Sequence, residues 1–250
     1  MKKACITGAS SGFGEAIAEV FASRGYELIL CGRNRLKLQE LKSRLDEFTK
    51  CIIVVFDVRD RESVSDKLTA AITAMQGVDV LINNAGNAHG LGTVQEGNPD
   101  DWDAMIDINV KGLLNVTHVI LPYLVKQNSG HIINIGSLAG KEVYRNGTVY
   151  CASKHAVDAI SEGLRKDLLE TDIKIGCVHP GLVATNFSMV RFKGDKNKSN
   201  AVYRGYEPLQ AKDIAEIVDF IVSRPAHVNI ADLLVLPSAQ ASSTEIKKNL

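Results

Sequence analysis

The sequence predicts an α/β fold, one domain built on a mostly parallel sheet with helices against its faces. Three observations carry that prediction. Short apolar runs alternate along the chain with longer stretches of helical periodicity, the mark of successive βαβ units. A glycine-rich turn sits at the first strand-to-helix junction. No repeat, low-complexity tract or Pro/Gly linker divides the 250 residues, a length that one large α/β domain can fill.

The expected strands cover 4–6, 27–31, 51–56, 78–82, 131–135, 174–178 and 233–236, and the helices between them 14–23, 34–45, 61–75, 102–126, 150–169 and 212–222. The run 51–56 shows no polar alternation and reads as a strand covered on both faces. Residues 1–140 then form mainly the ligand-binding half, and 141–250 supply a later helix and a long loop.

Composition narrows the function. With 45% hydrophobic and 23% charged residues the chain can build a full core. Its 29 basic and 29 acidic residues balance, so no overall field favours nucleic acid or an anionic membrane as a partner. Cys5, Cys31, Cys51, Cys151 and Cys177 are odd in number and never form a Cys-x-x-Cys pair, which points to reduced thiols in the cytoplasm. After Met1-Lys2-Lys3 only Ala4-Cys5-Ile6 precedes Thr7-Gly8, too short for a signal peptide, and no later run is expected to span a bilayer. The histidines lack paired spacing with other ligands, so no metal is expected.

In chain order, Thr7-Gly8-Ala9-Ser10-Ser11-Gly12-Phe13-Gly14 follows the first strand and opens the first helix. Glycines there permit a tight turn and close approach of a ligand to backbone. The helix N-terminus behind them suits a pyrophosphate, so this is a dinucleotide site. The second strand ends Gly32-Arg33-Asn34-Arg35, with no acidic residue for ribose hydroxyls; Arg33 instead suits a 2′-phosphate, favouring NADP over NAD. Asp57-Val58 closes the third strand, where the carboxylate is placed to reach an adenine amine or to cap the next helix. Asn83-Asn84-Ala85-Gly86 closes the fourth, to bracket a ribose or hold a turn.

Asn109 interrupts an apolar helix between Ile108 and Val110, a poor helix former that marks either an exposed site or a local opening holding a water. Ser137 falls at the carboxyl end of the fifth strand, where open α/β sheets bind ligands. Tyr150 and Lys154 are four apart on a helix, hence neighbours on one face. The expected effect of the ammonium is to lower the phenol pKa and fit Tyr150 for acid/base work.

Taken in order, the glycine turn, Asn83-Asn84-Ala85-Gly86, Asn109, Ser137, Tyr150 with Lys154, and Pro180-Gly181 with Thr185 resemble the short-chain dehydrogenase/reductase family. The resemblance implies a Rossmann-like, doubly wound parallel sheet of seven strands flanked by helices, and a homo-oligomer, commonly a tetramer packed through the long helices. It implies that Tyr150 exchanges the substrate proton, Lys154 lowers its pKa and contacts the nicotinamide ribose, Ser137 binds the reacting oxygen, and Asn109 holds a relay water. It further assigns cofactor contacts to Gly8, Ser10, Ser11, Gly12, Phe13, Gly14, Arg33, Asp57, Val58, Asn84, Ala85, Gly86, Pro180, Gly181, Val183 and Thr185. Ser11 stands where many NADP-binding members carry a basic residue, so the phosphate assignment rests on Arg33.

Residues 190–195 and 225–230 resemble, more narrowly, the NADP-dependent 3-hydroxy acid (serine or allo-threonine) dehydrogenase branch. A desolvated substrate carboxylate needs a cation, and Arg191 and Arg145 flank the expected cleft. The stretch between Thr185 and Lys212 reads as a lid. A broader carbonyl or 3-oxoacyl reductase is the alternative, and a non-catalytic NADP-binding regulator a more distant one. His179 reads as packed, and Trp102 as core or oligomer contact.

Overall fold

The computed structural model describes residues 1–249. Strands β1 (Lys3–Thr7), β2 (Glu27–Gly32), β3 (Cys51–Val55), β4 (Val80–Asn83), β5 (Gly130–Ile135), β6 (Ile173–Pro180) and a last strand at Asp232–Val235 form one sheet. Every pairing in it is parallel. The order is β3-β2-β1-β4-β5-β6 and then the Asp232–Val235 strand, so the chain winds outward from β1 in one direction and reverses to β4 for the other. The reversal opens a crevice at the carboxyl ends of β1 and β4, where doubly wound sheets take ligands.

Helices α1 (Gly12–Ser23), α2 (Arg35–Leu45) and α3 (Arg61–Met75) connect the first strands. Asn34 and Asp60 cap α2 and α3 by accepting from Lys37 N and Ser63 N, which explains where both begin. The apolar faces divide into two layers. One packs Ile17, Phe21, Leu38 and Leu41 with Ile214 and Val218 on one side of the sheet. The other packs Val64, Leu68, Ile72, Val116 and Ile120 on the opposite side.

The long helix expected over 102–126 is longer and interrupted. It runs as α4 (Pro99–Ile106), a π-helical turn over Asp107–Gly112, and α5 (Leu113–Gln127). Asn109 lies inside the π turn, so the local opening expected around it is real. The combined span Pro99–Gln127 is long and apolar enough to cross a bilayer by length and composition alone, which corrects the sequence expectation. Half of its most apolar stretch is buried inside the protein, as a core helix would be.

Two further corrections concern the sheet edge and the lid. The 51–56 run does pack on both faces, Cys51, Ile53 and Val55 against one layer and Ile52, Val54 and Phe56 against the other, but β3 is the edge strand, and Ile52, Ile53 and Val55 are only half-buried. The stretch 185–212 is not plain loop. It holds α7 (Phe187–Arg191), α8 (Lys196–Val202) and β8 (Leu209–Gln210), and β8 pairs with β7 (Val183–Ala184) just before the stretch as a small second sheet ahead of α9 (Ala211–Val222). The helix α6 (Thr148–Asp167) stands between β5 and β6 in the chain, and the Asp232–Val235 strand is β9.

Candidate active site

The crevice widens into a cavity of about 940 Å³ lined from β1 round to α8. Its floor is the glycine turn. Gly8 and Gly12 hold φ of 65° and 60°, a left-handed conformation that glycine adopts freely. Gly14 does not line the cavity as expected; a Cβ there would lie 2.3 Å from the Gly8 carbonyl oxygen, so its role is to let α1 close against the turn. Asn84 fastens the same turn by donating from Nδ2 to the carbonyls of Thr7 and Gly8, at 2.9 and 3.2 Å. Ser11 begins α1 without capping it through its side chain, which leaves the first N–H groups of the helix to a ligand. Ser10, Ser11, Gly12, Phe13, Ala85, Gly86, Val58, Pro180, Gly181, Val183 and Thr185 all line the cavity. Asn83 turns away into the core, where it donates to Thr117 and Asn134 at 2.9 Å.

Arg33 lines the crevice at the end of β2, its side chain 68% exposed and Nη1 3.7 Å from Asp57 Oδ2. Arg35 lines it too, a second cation that the sequence reading passed over. Asp57 lines the cavity at the end of β3, so of the two alternatives for it the capping one fails and the placement toward the ligand crevice stands. Arg59 grips its carboxylate from Nε and Nη2 at 3.0 and 2.8 Å, and that hydrogen bonding holds the Asp57 pKa below the usual carboxylate range. The carboxylate thus has a partner already, and the cap of α3 is Asp60.

Tyr150 and Lys154 are both buried in the first turns of α6 and both line the cavity. Their coupling differs from the expectation. Lys154 Nζ donates to the Ile135 carbonyl at 2.9 Å, and burial lowers its pKa to about 8. The largest influences on the phenol come from elsewhere. Burial raises the Tyr150 pKa above its ordinary value, Tyr144 adds to the rise, and Ser137 and Arg191 oppose it. Tyr150 is therefore held as a neutral phenol with a proton to give, rather than as a phenolate.

Ser137 caps a short 3₁₀ turn, Leu138–Gly140, by accepting from Ala139 N at 3.1 Å, so its O–H remains available toward the phenol and the cavity. Asn109 lies behind the cavity wall and not on it. Its Oδ1 accepts from Asn87 N at 2.8 Å, and its Nδ2 donates to Asn87 O and Ser153 Oγ at 2.8 and 3.0 Å. Those bonds occupy the amide, so any relay through this residue belongs to the opened π-turn backbone and not to the side chain.

At the far end α7 supplies Arg191. Its guanidinium lies over two rings, 5.5 Å from the Tyr144 centroid and 5.3 Å from that of Tyr150. Nη2 donates to Tyr144 Oη at 2.7 Å, and Nε reaches the Gly90 carbonyl at 3.4 Å. Arg145 lines the cavity but has no such anchoring among the described bonds. Tyr144 is another site residue that sequence reading missed. It lies in an aperiodic stretch, and the one relevant signal was Gly147, where a Cβ would fall within 2.1 Å of the Tyr144 ring.

Asp158, Cys177 and His179, which showed no ligand spacing in sequence, converge so that one donor atom of each lies within 4.8 Å of the others. Lys141 Nζ, 2.9 Å from Asp158, already supplies a cation to this group. All five cysteines are free and buried, and the Cys5 and Cys31 sulfurs stay 3.7 Å apart.

A glycine turn beneath a helix N-terminus, with a serine at the end of β5 and a tyrosine and lysine on α6 facing the same cavity, defines a dinucleotide-dependent oxidoreductase. The short chain dehydrogenase family matches residues 2–196, and the chain belongs to that family. Among named relatives, the chain is 43% identical over 239 residues to sulfoacetaldehyde reductase 2 of Chromohalobacter salexigens, covering 95% of each. It is 41% identical over 237 residues to the NADP-dependent 3-hydroxy acid dehydrogenase YdfG of Escherichia coli, covering 94% of this chain and 95% of that one. Among solved structures, the closed form of serine dehydrogenase complexed with NADP+ superimposes with a TM-score of 0.93 at 39% identity, covering 99% and 100% of the two chains.

Proposed function

We propose that the protein uses NADP in preference to NAD to interconvert the hydroxyl and carbonyl forms of a small 3-hydroxy acid such as serine, allo-threonine or 3-hydroxypropionate. The observation that carries the substrate class is Arg191, a cation held over the ring of the candidate proton donor within the same cavity. A carboxylate on that guanidinium would set a carbon one or two bonds away against Tyr150 and Ser137. Relatives of similar identity act on a 3-hydroxy acid and on sulfoacetaldehyde, by their names, and both are small anions.

The cavity fits the cofactor: it presents a Cβ-free cradle, uncapped helix N–H groups and the Arg33 and Arg35 cations. When bound, NADP(H) supplies or accepts the hydride. The chain manages the proton. Tyr150, protonated by burial, gives its phenolic proton to the carbonyl oxygen during reduction, and Ser137 donates a second hydrogen bond to that oxygen. Lys154, with a pKa lowered to about 8, keeps an exchangeable proton beside Gly86 and the Asn109 π turn. Pro180, Gly181, Val183 and Thr185 wall the nicotinamide side.

The chain works as one unit, residues 1–140 binding cofactor and 141–250 carrying α6 and the lid. Its compartment is the cytoplasm, supported by five unpaired thiols, and it has neither nucleic acid nor membrane as partner. Leu114 and Val125, 43% and 46% exposed on α5, support a homo-oligomer packed through that helix, a tetramer by family resemblance. Steady-state rates with L-serine, L-allo-threonine and 3-hydroxypropionate, against hydrophobic ketones, each with NADP and NAD, test the reading. We expect the hydroxy acids with NADP to be fastest; turnover of ketones alone would replace this reading with the broader carbonyl reductase.

A further inference from the structure

We infer that His179 is a positioning residue for Ser137, bracing the strand-end turn that aims its hydroxyl and linking that turn to the helix carrying Tyr150. The inference rests on the reading of Ser137 given above. The His179 ring is wholly buried and its Nδ1 lies 3.2 Å from the Ser137 carbonyl oxygen. Gly136 makes room for it, since a Cβ there would lie 2.6 Å from Nδ1. On the other side of the ring, Nε2 is 3.1 Å from Asp232 Oδ1 and 3.5 Å from Asp158 Oδ1, without an aligned hydrogen bond to either.

Lys141 completes the brace. It ends the 3₁₀ turn that Ser137 begins, and its Nζ binds Asp158 at 2.9 Å and Asp232 at 2.5 Å. The turn is thus clamped at both ends, by His179 at the Ser137 carbonyl and by Lys141 to α6 and β9. Both ring nitrogens face acceptors, but a neutral imidazole has one N–H. Lys141 offsets one of the two carboxylate charges, Nε2 has no aligned acceptor, and the Ser137 carbonyl can only accept, so the ring proton stays on Nδ1 and serves Ser137. The groups facing the ring are Asp232, Asp158, Lys141, Cys177 and the Ser137 carbonyl. Burial, then Lys141, hold the His179 pKa below its ordinary value, so the neutral ring predominates at pH 7.

The test uses isosteres that keep one nitrogen each. His179→Asn retains an amide donor near the Nδ1 position, and His179→Gln places it near Nε2. We expect His179→Asn to keep kcat within about threefold of wild type, and His179→Gln to lose roughly tenfold with the KM for NADPH unchanged. Lys141→Met should move a His179-dependent inflection in the kcat profile to higher pH, and the inflection should vanish in the double variant with His179→Asn. Equal kcat in the Asn and Gln variants, or a Lys141→Met profile identical to wild type, overturns the inference. Ser137→Ala measured alongside separates the two readings: full turnover in that variant defeats the role of Ser137, whereas its loss with equal Asn and Gln variants defeats only the brace.

Discussion

The two groups that sequence reasoning coupled, Tyr150 and Lys154, are neighbours on α6 but answer to different partners. Helical spacing brings the side chains to one face; it does not say that the ammonium will turn to the Ile135 carbonyl. Tyr150 is tuned instead by burial, and by Ser137 and Arg191 reached through the tertiary fold. Arg191→Leu should therefore act chiefly on anionic substrates, raising the KM for 3-hydroxypropionate by about tenfold or more while affecting an uncharged aldehyde much less, as steady-state kinetics will show. Arg33→Ala should raise the KM for NADPH roughly tenfold and leave that for NADH nearly unchanged.

A third residue acts on stability. His131 is buried in β5, and neither ring nitrogen has a partner. Burial, aided by Lys174 and Lys2, lowers its pKa to about 3. The folded state thus refuses a proton that the unfolded chain accepts near its ordinary value. Stability from this group is complete above about pH 6.5 and is lost as the pH falls toward 3. Denaturant unfolding at pH 7 and 4.5 should differ by about 2–3 kcal/mol on this account, and His131→Leu should remove most of that difference.

At the scale of elements, what was legible followed from local pattern. The helix over 61–75 matches α3 (Arg61–Met75) at both ends, because an Asp cap and a left-handed Gln76 mark them. Strand positions were legible to within a residue or two, since each is a short apolar run between turn residues. The edge position of β3 was not, because an edge strand whose outer neighbour is missing can still be wholly apolar in sequence. The small helices and the β7–β8 pair between β6 and α9 also escaped: elements of two to seven residues carry no readable period. The glycine turn behaves as one element with α1. Gly14→Ala, whose Cβ would strike the Gly8 carbonyl, should cost about 2–3 kcal/mol in denaturant unfolding and weaken NADPH binding together, whereas an alanine on the exposed face of α1 should do neither.

For the whole molecule, topology places the chemistry. One reversal of strand order brings the carboxyl ends of β1, β4, β5 and β6 around a single crevice, and residues from 7 to 243 line it. That is why the order of motifs carried the family so well, and why roles within the site did not follow from order alone. Asn109 stands where family resemblance puts it, yet Asn87 has already engaged its side chain, and the Asp57 carboxylate that lines the cavity is shared with Arg59. Such contacts join residues 2 and 22 positions apart through turns that sequence periodicity does not register.

The claim on which this account turns is that Tyr150 gives and takes the substrate proton. Tyr150→Phe keeps the ring that packs against Phe187 and Arg191 and removes only the hydroxyl. Measured by NADPH absorbance with the best substrate of the panel, its turnover should fall by about a thousandfold, while NADPH binding followed by fluorescence stays within roughly threefold of wild type. Turnover within tenfold of wild type would contradict the account.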